Sequence, residues 1–172
     1  MIRILKQIFR TGIVTEPLAP YAEAEITLIG SELEEAIKRR FRRSLTIRQV
    51  DAGSCNGCEL EIHALNNSIY NCEQYGIHFT ASPRFADMLL VTGPVTRNME
   101  TALRRTYNAT PPPKLVVAVG DCGYNGGIFG ESYASLGGVN KIIPVDAYIH
   151  GCPPAPAAIL NGILRAVDPQ HH

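Results

Sequence analysis

Two cysteines stand three positions apart in the stretch AGSCNGCELEI, residues 52 to 62, where a glycine-rich turn runs into a predicted helix. A Cys-x-x-Cys pair of this kind has three chemical uses: a redox dithiol of the thioredoxin type, half of a zinc site, or half of an iron–sulfur site. The choice depends on where the remaining cysteines of the chain lie relative to Cys55 and Cys58.

The cysteine count argues against a disulfide framework. The N-terminal stretch MIRILKQIFR lacks the apolar segment of a secretory signal, because Arg3, Lys6 and Arg10 interrupt it, and we expect the chain to stay in the cytoplasm. Cytosolic thiols are kept reduced, and an odd number of five cysteines cannot pair completely within one chain. Metal binding or catalysis is therefore the better expectation for these thiols.

The overall composition is that of a single globular domain. The chain has 172 residues, of which 45% are hydrophobic and 19% charged, enough for a sizeable core. Sixteen basic side chains balance sixteen acidic ones, so no net field attracts a nucleic acid and we expect no nucleic-acid partner. No apolar run approaches the roughly 20 residues that span a bilayer, so any membrane association is expected to be peripheral or through partners.

From Leu45 onward, predicted strands alternate with predicted helices, which is typical of a parallel α/β sheet. The predicted strands lie at about 45 to 51, 76 to 81, 87 to 92, 114 to 120 and 143 to 149. The predicted helices lie near 58 to 70, 98 to 107 and 155 to 166. The last of these follows the helix-start signal of Pro153 and Pro154.

Residues 1 to 44 differ from this pattern, and we predict that they form a docking segment before an iron–sulfur-binding α/β domain over 45 to 172. Residues 1 to 10 form an arm that carries apolar side chains on one side, at Leu5, Ile8 and Phe9. Next, Ser31 and Glu34 match a capping box, which predicts the start of a helix.

That second helix is amphipathic and ends in a cluster of basic side chains. Leu33, Ile37 and Phe41 recur at helical spacing. The basic cluster consists of Lys38, Arg39, Arg40, Arg42 and Arg43. It is either a solvated face or a surface that meets acidic lipid headgroups or a partner.

Three predicted strands are each followed within a few residues by a cysteine. The segments TIRQVDAGSC, KLVVAVGDC and PVDAYIHGC end at Cys55, Cys122 and Cys152. The carboxyl ends of parallel strands share one edge of the sheet, and open α/β sheets bind their ligands outside that edge. We therefore expect these three thiols and Cys58 to converge there.

Four thiolates at one point suit either tetrahedral zinc or an iron–sulfur cluster. A structural zinc site usually combines two Cys-x-x-Cys knuckles in a small module without a core, whereas this chain has one knuckle and ample core. Small residues also let backbone N–H groups approach cluster sulfurs, which favours a cubane cluster over zinc. The glycines of these loops are Gly53, Gly57, Gly120, Gly123, Gly126, Gly127 and Gly151.

Two further hypotheses are less favoured. A thioredoxin-like dithiol would use Cys55 and Cys58 alone and would leave Cys122 and Cys152 without a role. The GDCGYNGGIFG loop has the glycine content of a phosphate cradle, but it lacks the Lys and Ser/Thr of a P-loop and the spacing of the dinucleotide fingerprint.

Four motifs carry a family resemblance, in the order GSCNGCELEI, LLVTGPVTRNM, VVAVGDCGYNGGIFG and VDAYIHGCPPAPAAILNGIL. The chain resembles the small subunit of group 4 membrane-bound NiFe hydrogenases, whose sister is the 20 kDa iron–sulfur subunit of respiratory complex I. The similarity spans about Leu45 to Leu164, roughly two thirds of the chain. It implies a flavodoxin-like parallel sheet with helices on both faces and one 4Fe-4S cluster, the proximal cluster, at the carboxyl edge.

On this resemblance the cluster ligands are Cys55, Cys58, Cys122 and Cys152. The resemblance implies that the catalytic NiFe centre lies on a hydrogenase large subunit and that no residue of this chain is itself catalytic. It also implies electron transfer between that centre and a ferredoxin-like multi-cluster subunit. The membrane subunits of a complex I-like assembly would hold the chain at the cytoplasmic face of the membrane.

Two departures from related families narrow the expected function. The complex I relative typically has adjacent cysteines in its first motif, whereas this chain has Cys-x-x-Cys followed by Glu59, the hydrogenase form. This favours hydrogen chemistry over quinone reduction, which stays the alternative, with a zinc-binding interaction module as the third hypothesis. Only about twenty residues follow Cys152, so we expect one cluster and an electron acceptor on another polypeptide.

Five other residues near these motifs have weaker expectations. Glu59 is a possible coupling residue at the boundary with the large subunit; otherwise it and Glu61 simply favour a helix N-terminus. Arg97 is predicted to be a surface arginine, the alternative being a position facing the cluster edge or an acidic partner. Cys72 is predicted to be a small buried apolar side chain, and His150 to support the site or to pack beside it.

Overall fold

A parallel sheet forms the centre of the molecule. The computed structural model describes residues 2–11 and 20–168. Within these ranges the strands are β1 (Leu45–Asp51), β2 (Ile77–Phe79), β3 (Met88–Thr92), β4 (Leu115–Val119) and β5 (Ala147–Ile149). All neighbouring strands are parallel and their order is β2-β1-β3-β4-β5, the order of flavodoxin-like doubly wound sheets. The predicted parallel α/β fold and all five predicted strands are confirmed, although β5 begins four residues later than expected.

Helices lie before, between and after these strands. They are α1 (Ile2–Thr11), α2 (Pro20–Phe41), α3 (Gly57–Ala64), α4 (Arg97–Ala109), α5 (Gly120–Asn125) and α6 (Pro156–Val167). The structure agrees with the predicted position of α4 and α6 to within two residues, but the first proline inside α6 is Pro156 rather than Pro153 or Pro154. No helix in the described ranges is long and apolar enough to cross a bilayer.

Helix α3 is shorter than predicted and ends at Ala64 instead of near residue 70. The side-chain oxygen of Asn67 accepts hydrogen bonds from the backbone N–H groups of Ile69 and Tyr70 at 2.9 and 3.0 Å. These side-chain hydrogen bonds compete with the backbone hydrogen bonds of the helix, so the helix does not continue through this segment.

The sheet separates two apolar cores, as a doubly wound fold requires. Strands β3 and β4 are buried at every position, because helices cover both faces of the sheet. The core on one face includes Leu33 and Ile37 of α2, Ile62 of α3 and Ile159 of α6. The core on the other face includes Leu103 of α4.

Helix α2 begins at Pro20, so the capping box predicted at Ser31 and Glu34 is wrong. The hydroxyl of Ser31 donates to the carbonyl of Leu28 at 2.8 Å within the helix instead of capping it. Ile26 and Ile29 are already buried ahead of Ser31, so the apolar period of α2 starts before the local start signal and overrides it. Leu33 is fully buried, as its helical spacing predicted.

The basic cluster at the end of α2 makes bonds within the chain. Arg39 pairs with Asp168 at 3.1 Å, and Arg40 donates to the carbonyls of Ala166 and Val167 at 3.2 and 2.7 Å. These carbonyls lie at the C-terminus of α6, where a cation complements the helix dipole.

Arg43 pairs with Asp87, just before β3, at 2.5 Å. Arg39, Arg40 and Arg43 thus join the end of α2 to the body of the protein. Most of the surface of Lys38, Arg39 and Arg43 nevertheless faces solvent.

Candidate metal centre

The first cysteine loop starts where β1 ends. The carboxylate of Asp51 accepts hydrogen bonds from the backbone N–H groups of Gly53 and Ser54 at 2.8 and 3.0 Å, which folds the loop over the sheet edge. Helix α3 then begins at Gly57. As a result Cys55 is exposed in the loop, and Cys58 is buried in the first turn of the helix.

The second cysteine loop follows β4 and forms α5, a helix that the sequence reasoning missed. The helix begins at Gly120, whose φ is +81°, and buries Cys122. A Cβ atom on Gly120 would lie 2.7 Å from the sulfur of Cys58 and 3.3 Å from the carbonyl oxygen of Gly151. Glycine is therefore required where the three cysteine loops meet.

The third cysteine loop follows β5 and is tied to the second. The N–H of Asp121 donates to the carbonyl of Gly151 at 3.0 Å, and the carboxylate of Asp121 accepts from the N–H of Gly151 at 3.1 Å. Pro153 borders the first loop, because a Cβ on Gly57 would lie 3.7 Å from its ring. Cys152 is exposed on this loop. All four cysteines predicted to converge therefore lie at the carboxyl edge of the sheet.

The thiols influence one another's ionisation. Burial, followed by the charge of Glu59 and the other three cysteines of the edge, raises the pKa of Cys58 from 9.0 to about 12. Burial and then Cys152 raise the pKa of Cys122, while the N–H of Ile128 donates to the Cys122 sulfur and opposes the rise. Four sulfurs that repel one another's negative charge form a site in which a positively charged metal group would favour the thiolates.

The donor set of four cysteine thiols suits either an iron–sulfur cluster or a zinc ion, because both take sulfur ligands. No group of three or more histidine, cysteine, aspartate or glutamate side chains within residues 2–11 and 20–168 is close enough to hold one metal ion. Glycines next to the sulfurs suit a cluster, because they let backbone N–H groups approach it. Gly127, with φ at +53°, adds to the fit because a Cβ there would lie 2.7 Å from the Cys122 sulfur.

Glu59 is buried beside this site, with 4% of its surface exposed. The hydroxyl of Thr92, at the carboxyl end of β3, donates to one oxygen of the Glu59 carboxylate. The other oxygen is buried and has no hydrogen-bond partner among the described residues. Sequence reasoning did not identify Thr92 or Asp121, although both are polar residues at the carboxyl edge of the sheet: Thr92 is the last residue of β3, and Asp121 lies two residues after β4.

The remaining residues that the sequence singled out lie around the edge or away from it. Arg97 is exposed, as predicted, and donates to the carbonyl of Tyr133 at 2.6 Å. His150 is exposed, with its Nδ1 3.7 Å from the Asp121 carboxylate.

Cys72 is fully buried, as predicted, and its thiol donates to the side-chain oxygen of Asn66 at 3.3 Å. Glu61 is half-buried on α3.

Known proteins have sequences similar to this chain. Formate hydrogenlyase subunit 7 of Escherichia coli (strain K12) is 44% identical over 137 residues, which cover 80% of this chain and 54% of that protein. The chain thus spans about half the length of that relative. The probable membrane-bound hydrogenase subunit mbhJ of Pyrococcus furiosus is 44% identical over 126 residues, 73% of this chain and 75% of that protein.

Solved structures share the fold. A chain of the membrane-bound sulfane sulfur reductase, an archaeal respiratory membrane complex, is similar with a TM-score of 0.65 and 35% identity, over 81% of this chain and 78% of that one. A chain of an NAD⁺-reducing NiFe-hydrogenase is similar in fold, with a TM-score of 0.53 and 21% identity, over 68% of this chain and 87% of that one.

The family assignment rests on the part of the chain that contains all four edge cysteines. Residues 55–166, more than half of the chain, match the family described as NADH ubiquinone oxidoreductase, 20 Kd subunit. The resemblance noted in the sequence motifs is thereby confirmed. The chain belongs to the family of the 20 kDa subunit of NADH ubiquinone oxidoreductase, which includes subunits of membrane-bound hydrogenases.

Proposed function

We propose that this chain is the electron-transfer small subunit of a membrane-bound NiFe hydrogenase and that it holds the proximal 4Fe-4S cluster. The ligands are Cys55, Cys58, Cys122 and Cys152. When bound, a cluster of this type accepts and releases single electrons. The observation that carries the proposal is the meeting of four mutually interacting thiols at the edge where α/β sheets bind ligands.

The chain's own residues prepare this site in three ways. Burial of Cys58 and Cys122 excludes water from the inner side of the site. The N–H of Ile128 donates to a ligand sulfur, and such bonds are one means by which a protein sets a cluster's potential. The two hydrogen bonds between Asp121 and Gly151 fix the position of the second cysteine loop relative to the third.

In this proposal the chain is an oxidoreductase subunit and the catalytic NiFe centre belongs to a separate large subunit. Two relatives at 44% identity support this, since one is named as a formate hydrogenlyase subunit and the other as a membrane-bound hydrogenase subunit. A ferredoxin-like subunit receives or supplies the electrons. Membrane subunits hold the assembly at the cytoplasmic face of the membrane.

The surface next to Cys122 supports such an assembly. After α5 the chain presents large apolar side chains to solvent: Ile128 is 86% exposed and Tyr133 is 92% exposed. Phe129 lies between them in the sequence and is half exposed. A group of exposed apolar side chains beside a redox site is typical of a surface that a partner subunit covers.

A complex I type subunit that passes electrons to quinone is the second candidate, because the matching family takes its name from that enzyme. The two candidates differ in the metal that accompanies the chain. We expect an affinity-tagged chain, isolated anaerobically from its host, to co-purify with a nickel-bearing large subunit. The purified assembly should oxidise hydrogen with a dye as the electron acceptor. An assembly without nickel that reduces quinone would overturn the hydrogenase proposal.

A further inference from the structure

Helix α1 separates apolar from basic side chains. At 100° per residue, Ile2, Leu5 and Phe9 fall on one side of this ten-residue helix. The basic side chains Arg3, Lys6 and Arg10 lie together in the adjoining sector, and Ile4 extends the apolar side away from them. The side chain of Ile8, which the sequence also places on the apolar side, lies outside the described residues.

The apolar side of α1 faces solvent. Ile2, Leu5 and Phe9 are 83%, 54% and 86% exposed, so no described part of the chain covers them. Single exposed apolar residues are common on protein surfaces, but a row of three along one helix is not. This row therefore requires an apolar environment outside the chain.

Charge identifies the environment that suits the helix. The segment 2–11 has three basic residues and no acidic one, although the chain as a whole has no net charge. Helices that lie in the surface of a membrane combine an apolar face with Lys and Arg on the polar face, which attract anionic lipid headgroups. At about 15 Å the helix is too short to cross a bilayer but long enough to lie along its surface.

We propose that α1 binds the surface of an anionic lipid bilayer, with its apolar side in the acyl boundary and its three basic side chains at the headgroups. This direct lipid contact goes beyond attachment through partner subunits. It does not depend on the cluster or on the large subunit, so its test and the test of the proposed function fail independently.

The test uses the full chain, purified anaerobically, in co-sedimentation with vesicles of phosphatidylcholine alone or with about 30% phosphatidylglycerol. We expect at least about tenfold stronger partition to the anionic vesicles, because each basic residue near an anionic surface contributes roughly fivefold. The variant with Arg3, Lys6 and Arg10 each changed to Gln should lose this preference. Phe9→Ser should weaken binding to anionic vesicles roughly tenfold, because a large apolar side chain is lost.

Matched control variants separate the helix from the rest of the surface. Changing Arg84, Arg105 and Arg165 to Gln removes the same amount of charge from exposed positions elsewhere. Phe85→Ser removes a phenyl ring that is 72% exposed outside α1. Both control variants should bind anionic vesicles within about twofold of the unchanged chain.

Three results would overturn the lipid proposal: equal partition to neutral and anionic vesicles, equal losses in the α1 and control variants, or no binding until a membrane subunit is added to the vesicles. The last result would assign α1 to a protein partner. Circular dichroism and a thermal unfolding curve of each variant show that loss of binding is not loss of folding.

Discussion

The hydroxyl of Thr92 donates a hydrogen bond to the carboxylate of Glu59 where both side chains are buried. Thr92 is the last residue of β3, the central strand, and Glu59 lies in the first turn of α3 directly after Cys58. The bond therefore joins the edge of the sheet to the helix that carries a proposed cluster ligand. Glu59 does more than favour a helix N-terminus, since it faces the protein interior.

The first prediction concerns the hydroxyl of Thr92. Thr92→Val keeps the shape of the side chain but leaves both oxygens of the Glu59 carboxylate buried without a partner. We expect the free energy of unfolding of the cluster-free chain to fall by about 1–3 kcal/mol, the cost of an unsatisfied buried polar group. Urea denaturation measures this, and Thr92→Ser, which keeps the hydroxyl, should lose much less. Equal stability of the valine and serine variants would contradict this role of the bond.

The second prediction tests the place where the cysteine loops meet. Gly120→Ala brings a Cβ to 2.7 Å from the Cys58 sulfur and also strains a backbone with φ at +81°. Gly76→Ala is a matched control, because its φ is +80° and no atom lies within 4 Å of its Cβ position. Both variants should lose about 1–2 kcal/mol of stability through the backbone.

Only Gly120→Ala should also lose iron, because only there does the new methyl group displace a ligand sulfur. We expect iron bound per chain, measured after anaerobic purification, to fall by more than half in Gly120→Ala and to stay unchanged in Gly76→Ala. Equal iron content in the two variants would show that the Gly120 contact does not matter for the centre.

The third prediction concerns the reactivity of the thiols in the cluster-free chain. Only the thiolate is nucleophilic, and burial and nearby negative charge raise the pKa of Cys58 to about 12. Burial raises the pKa of Cys72 to about 11. At pH 8, iodoacetamide should therefore modify the exposed Cys55 and Cys152 well before Cys58 and Cys72, as followed by mass spectrometry. In urea the differences should disappear, and equally fast modification of Cys58 in the folded chain would refute the prediction.

The fourth prediction is a loss of stability at alkaline pH. The folded chain holds the Cys58 proton more tightly than the unfolded chain, with a pKa of about 12 against 9.0. The resulting stabilisation is complete below pH 9 and is lost as the pH rises from 9 toward 12. Between pH 8 and pH 10 this one group should lower the unfolding free energy of the cluster-free chain by about 1 kcal/mol.

Other groups titrate in the same range, so the pH effect is measured as a difference between variants. Cys58→Ala removes the group, and its unfolding free energy in urea should fall less between pH 8 and pH 10 than that of the unchanged chain. Parallel pH profiles for the two proteins would mean that Cys58 is not held protonated by the fold.

The strands and the position of the cysteines were predictable for a physical reason. Parallel strands covered on both faces are short apolar runs, so LVVAV and MLLVT stand out in the sequence. Since all strands run in one direction, a residue just after a strand must lie at the carboxyl edge. This placed Cys122 and Cys152 at that edge without any structural information.

Features that depend on distant partners were not predictable. Arg39 pairs with Asp168, a residue 129 positions away. The sequence around Arg39 therefore could not indicate which residue it pairs with. Thr92 and Glu59 meet only after β3 and α3 have packed. The short helix α5 contains two glycines, Gly120 and Gly123, and glycine normally disfavours helix. Its position is set instead by the contacts among the cysteine loops.

We propose that one iron–sulfur cluster is held jointly by Cys55, Cys58, Cys122 and Cys152. The most direct test is the iron content and low-temperature electron paramagnetic resonance spectrum of the anaerobically purified chain, alongside Cys122→Ala and the buried-cysteine control Cys72→Ala. We expect about four irons per chain and a one-electron reduced signal in the unchanged chain and in Cys72→Ala, with both lost in Cys122→Ala. Stoichiometric zinc without iron, or an unchanged signal in Cys122→Ala, would contradict the proposal.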